Sequence, residues 1–83
     1  MTKTEYDRAT AYAAELRPKV ARSKSIRRQL LRALCKHLGR KADSFQLVPD
    51  SSLPTLMSYA ISYKAFGSLT DKQEVIAKKI LSK

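Results

Sequence analysis

SIRRQLLRALCKHL, residues 25–38, places apolar and cationic side chains on opposite arcs once it is wound as a helix of 3.6 residues per turn. Ile26, Leu30, Leu34 and Leu38 line one arc, with Ala33 beside them and Leu31 on the flank. Opposite them Lys24, Arg28, Arg32, Lys36 and Arg40 recur every four residues and form a ridge. The ridge advances about 6 Å per charge and drifts by about 40° per step, so its two ends face different sides. This is the pattern of an amphipathic helix with an apolar seam and a cationic back. No acid sits four residues from any ridge cation. Like charges at that spacing disfavour an isolated helix by roughly 0.2–0.5 kcal/mol per pair, so helix stability alone does not select this arrangement.

The ridge is part of a larger asymmetry. From Arg17 to Lys41 the chain carries ten Lys or Arg residues (Arg17, Lys19, Arg22, Lys24, Arg27, Arg28, Arg32, Lys36, Arg40 and Lys41) and no Asp or Glu. The remaining seven of its 17 cations are matched by its seven acids, so the net charge of +10 resides in this one stretch. A localised, single-signed field attracts polyanions and accelerates their association.

Helical signals continue on either side. Thr4 followed by Glu5, Tyr6 and Asp7 reads as a helix start, a hydroxyl cap with acids at the positive end of the dipole. Tyr6, Ala9, Ala13 and Leu16 then share a face, and Pro18 predicts that this helix stops or kinks at Arg17. Ser23 or Ser25 caps the second helix and Gly39 closes it. Pro49, Asp50, Ser51 and Ser52 mark a connection, from which Phe45, Leu47 and Val48 are expected to plug the core. A third helix opens near Pro54 and ends at Gly67. Its Leu53, Leu56, Met57, Tyr59, Ala60, Ile61, Tyr63 and Phe66 leave almost no polar side, which suits the middle of a bundle. Thr70 to Gln73 forms a capping box for a last helix that buries Ile76, Ala77, Ile80 and Leu81, with Lys72, Lys78, Lys79 and Lys83 in solvent. The expectation is an all-α, single-domain bundle over residues 1–83, with helices at about 4–17, 23–38, 53–66 and 70–82.

The same residues exclude several chemistries. The chain has one cysteine, Cys35, so no internal disulfide, and a reducing, cytoplasmic setting is compatible. No apolar run approaches the length of a membrane span, and residues 1–7 are polar and acidic rather than signal-like. Cys35 and His37, two apart on a helix, point in nearly opposite directions and cannot share a zinc ion. Cys35 is read as bordering the core and His37 as a partly covered surface residue. Asp71 and Glu74 fit the dipole of a helix start better than acid–base catalysis. With no glycine-rich phosphate loop either, the expectation is a protein that is not an enzyme and takes no cofactor or metal. Tyr59, Tyr63 and Phe66 have the spacing of a base-stacking platform and also of a core helix; core packing is the expectation, with Tyr12 or Tyr59 the better placed to meet a base.

A helix-turn-helix reading fares poorly. Turning at Gly39 would drive the next helix through Pro49, and turning at Gly67 offers mainly lysines, which hold phosphates but do not read bases. The segment Gly67 to Gln73, with Ile76, Ile80 and Leu81 behind it, looks like a short helical hairpin of some small phage-type proteins, and no functional residue is carried over from it.

Charge and helix together point to a nucleic-acid-binding protein, for DNA or RNA, that holds the phosphate backbone with little sequence preference. The expected contacts are Lys24, Arg28, Arg32, Lys36 and Arg40, flanked by Arg22, Arg27 and Lys41, with Arg27 close enough to the seam to snorkel over the core. Five phosphate contacts on a duplex would give log K against log salt a slope near −4.5, at about −0.9 per contact. The alternative is a protein-binding module or inhibitor, of viral or mobile-element origin, whose basic face docks on an acidic protein surface or nucleic-acid channel. A membrane-surface role is disfavoured because the seam lacks Trp and Phe. Oligomeric state is not encoded in these patterns.

Overall fold

The computed structural model describes residues 2–82. Four helices follow one another: α1 Lys3–Arg22, α2 Lys24–His37, α3 Leu53–Phe66 and α4 Asp71–Leu81, with a short 3-10 turn at Ser44–Leu47 between α2 and α3. The protein is an all-α bundle. Its Cα radius of gyration, 12.4 Å, is close to the roughly 12 Å expected of a folded chain this long.

The first helix departs from its expected limits at both ends. Thr2, not Thr4, is the N-cap, its hydroxyl accepting from the Glu5 N–H at 3.2 Å. At the other end the helix runs through Pro18 to Arg22 rather than ending at Arg17. Pro18 and Ala14 are both exposed, so the carbonyl that loses its partner to the proline ring faces water. Leu16 and Val20, either side of the proline, are both buried and extend the stripe of Ala9 and Ala13 by one more turn. Tertiary burial on both sides of the ring outweighs the local preference for a break.

Local signals hold elsewhere. Ser23 is the single residue between α1 and α2, and its hydroxyl accepts from the Ile26 N–H at 3.3 Å. Gly39 adopts φ 73°, and the N–H groups of Gly39 and Arg40 donate to the Lys36 and Cys35 carbonyls, a Schellman closure. Gly67 ends α3 with φ 77°. Thr70 and Gln73 form the complete capping box of α4.

All four helices contribute to one core. Leu34, Leu56, Ala60 and Ala77 are fully enclosed, with Leu16, Val20, Leu30, Leu38, Ile61 and Leu81 around them. Leu31, expected on a flank, is buried, and so is Cys35. Helix α3 touches α1, α2 and α4. Only Leu56, Ala60 and Ile61 of it are buried; Leu53, Met57, Tyr59, Tyr63 and Phe66 are half-buried. Ile76 and Ile80 of α4 are likewise half-buried. In the connection, Val48 is buried and Phe45 packs against the core, but Leu47 is 79% exposed. The 3-10 turn, with three residues per turn, cannot direct Phe45, Leu47 and Val48 to one side, so the expected plug loses its middle residue. Lys83 lies outside the described residues.

Candidate nucleic-acid interface

Helix α2 positions the charges. Burial of Leu30, Leu31, Leu34, Cys35 and Leu38 fixes its rotation against the core, and the opposite arc is thereby turned to solvent. Lys24, Arg28, Arg32 and Lys36 are all exposed along it. Twelve residues separate the first from the last, a track of about 18 Å that turns through about 120°. Among the described residues, the one ion pair within 4.0 Å is His37 with Glu74, so no carboxylate neutralises any of these four cations.

Arg40 does not belong to the track. The helix ends at His37, Leu38 is its cap, and Gly39 in the left-handed region swings the chain away, so Arg40 and Lys41 are exposed residues of the following connection. The expected five-charge ridge is a four-charge helical ridge with two more cations beyond its end. Arg22 closes the last turn of α1, two residues before Lys24, which adds its charge at the opposite end of the track.

Arg27 has a different occupation. Its Nη2 donates to the Val20 carbonyl of α1 at 3.3 Å, tying the start of α2 to the end of α1. The bond anchors one nitrogen of the guanidinium, and the residue remains exposed.

The electrostatics of α2 run against helix stability. Its first turn contains no acid, yet Lys24 lies there and Arg27 and Arg28 follow closely, at the positive end of the dipole. The dipole favours acids in that turn, and α1 carries Glu5 there and α4 Asp71 and Glu74, whereas α2, like α3, has none. The same end has the free N–H groups and positive potential that anions seek.

Tyr63, Phe66, His37 and Cys35 are engaged in packing. Tyr63 stacks on His37 at 4.4 Å between ring centres, and Phe66 meets Tyr6 at 5.6 Å. Tyr12 is 40% exposed on α1. His37 Nε2 lies 3.1 Å from Glu74 Oε1; since a carboxylate only accepts, this nitrogen carries the proton. His37 thus links α2 to α3 and α4, a role the sequence offered no signal for because its partners are 26 and 37 residues away. Burial pushes the Cys35 thiol above its ordinary value, Asp43 adds to the rise, and a backbone hydrogen bond with Phe45 opposes it. Among the described residues no three His, Cys, Asp or Glu side chains converge as metal ligands would, and no helix is long and apolar enough to cross a membrane.

Comparison with protein-family models, with curated proteins and with solved structures finds no match to this chain.

Proposed function

We propose that the protein binds nucleic acid through the phosphate backbone, using the solvent-facing arc of α2. The observation that carries this reading is the row Lys24, Arg28, Arg32 and Lys36, exposed along about 18 Å of one helix with no carboxylate partner. A cationic row that lowers the stability of its own helix is explained by a ligand that supplies the missing negative charge. Phosphates do so at high density, one per 1.7 Å or so of duplex axis. Arg22 lies at one end of the row, and Arg40 and Lys41 follow the other, where they extend the contact along a backbone longer than the helix.

The interface is poor in groups that read bases. Asn is absent from the chain, and Gln29 is the single exposed amide on α2. Arginines on the track can meet guanines, but their regular four-residue repeat suits a regular backbone better than a particular base order. The protein therefore binds with slight sequence preference. Titration of a labelled duplex, a labelled single strand and labelled poly-glutamate tests this. Nucleic acid should bind more tightly than the polypeptide at equal charge, and unrelated duplexes should compete within about tenfold of one another. Equal or tighter binding of poly-glutamate would instead favour a partner with an acidic protein surface, and discrimination between duplexes above about a thousandfold would reveal a readout element.

A further inference from the structure

A groove of about 590 Å³ opens between the C-terminal turns of α1, the first half of α2, the 3-10 connection and the first turns of α3. Its size falls within the roughly 300–1,000 Å³ of small-molecule sites, which favour clefts between the helices of bundles. The walls are apolar: Leu31, Val48 and Ile61 are buried core residues showing one edge, and Phe45, Leu53 and Met57 are half-buried. The charged groups are unevenly disposed. Arg17 of α1 and Arg27 of α2 line the α1–α2 side, whereas Asp50 lines the approach to α3. Arg27 gives Nη2 to the Val20 carbonyl, itself at the groove, and that bond holds the guanidinium beside the groove with its other donors available.

We infer that this groove binds a fatty acid, its carboxylate held between Arg17 and Arg27 and its alkyl chain laid along Leu31, Val48, Met57 and Ile61. Charge complementarity selects this occupant. The charged lining of the groove is two arginines against one aspartate, so a cationic amphiphile meets net repulsion and a neutral one forgoes the attraction available. An acidic peptide, with charge at several points, would bring one of them against Asp50. A ligand with a single anionic head and an unbranched tail satisfies the arginines at one side and leaves Asp50 to water. The site is separate from the cationic track: Arg27 lies at the groove, and its neighbour Arg28 lies on the solvent arc.

The test uses dodecanoate below its aggregation concentration, followed by calorimetry and by amide chemical shifts of the full chain. The expected result is saturable one-to-one binding, with shifts centred on Leu31, Val48 and Met57, and at least tenfold weaker binding of dodecyltrimethylammonium. Arg17→Gln, at an exposed position, should weaken dodecanoate binding about fivefold to tenfold. Pro54→Glu, exposed in the first turn of α3 where an acid suits the dipole, leaves the fold intact and should weaken it similarly by repelling the ligand from the groove. Arg28→Gln should leave dodecanoate affinity unchanged while lowering nucleic-acid affinity, so the two sites stand or fall separately. Non-saturable binding, equal affinity for the cationic amphiphile, shifts confined to α2's solvent arc, or tighter occupation by an acidic peptide would each overturn the assignment.

Discussion

Replacing Arg28, Arg32 and Lys36 together by Gln separates binding from folding. All three side chains are exposed, and none has a carboxylate within 4.0 Å among the described residues. The substitution removes three like-charge contacts at i to i+4, beginning with Lys24 and Arg28, each costing the helix roughly 0.2–0.5 kcal/mol before salt screening. The melting temperature should therefore hold or rise slightly. Binding should change in a way that salt exposes. With Arg40 off the helix, the ridge offers four phosphate contacts, and log K should fall against log salt with a slope of about −3.6; the variant keeps Lys24 alone and a slope of about −0.9. Between about 50 and 200 mM salt the parent then loses roughly 150-fold in affinity and the variant roughly 3-fold to 4-fold. Arg22, Arg40 and Lys41 steepen both slopes alike if they reach the backbone, so the difference of about 2.7 between the two slopes is the quantity to measure. Anisotropy of a labelled duplex at several salt concentrations gives both slopes, and circular dichroism melting gives the stability. A triple variant that binds with the parent's slope and affinity would refute the site; a parent slope near zero would refute backbone binding altogether.

The opposite arc should behave in the reverse sense: Leu34→Ala, at a residue with no exposed surface, should cost roughly 3–5 kcal/mol in denaturant unfolding while leaving the salt slope of any folded fraction unchanged. Thr70→Ala, which breaks the capping box of α4, should cost about 1 kcal/mol, and hydrogen exchange should show that loss first in the amides of residues 71–74. Because burial raises the Cys35 thiol above its ordinary 9.0, the folded chain retains a proton that the unfolded chain releases. Stability should thus fall as pH rises through the thiol range, and Cys35→Ala should show a shallower decline; superimposable alkaline profiles would count against the buried, neutral thiol. His37→Ala removes both the Tyr63 stack and the Glu74 contact, and should loosen α4 relative to the rest, read as faster exchange at Ala77 and Leu81 with little change at Leu30 and Leu31.

Much of the candidate site was legible in the chain because its geometry is local. Four-residue spacing fixes which side chains share an arc of a helix, so the exposed row from Lys24 to Lys36 and the seam of Leu30 and Leu34 follow from the sequence without knowledge of the fold. The caps are local too: Ser23, Gly39, Gly67 and the pair of Thr70 and Gln73 each act within five residues, and the structure uses them all. What the tertiary structure decided involves competition between local preference and distant contact. Pro18 ought to end a helix, yet Leu16 and Val20 are buried on either side of it and the helix continues. Arg27 has the spacing of a seam-edge cation, but its direction was set by where the α1 carbonyls finish. Leu47 faces water although Phe45 and Val48 beside it pack inward, and His37 meets Tyr63 and Glu74 only because α3 and α4 arrive at the end of α2. The groove between α1, α2 and α3 arises in the same way. Periodicity states which face of each helix is apolar, but the angles and separations at which those faces meet come from packing between residues tens of positions apart, and that packing determines where a cleft remains open.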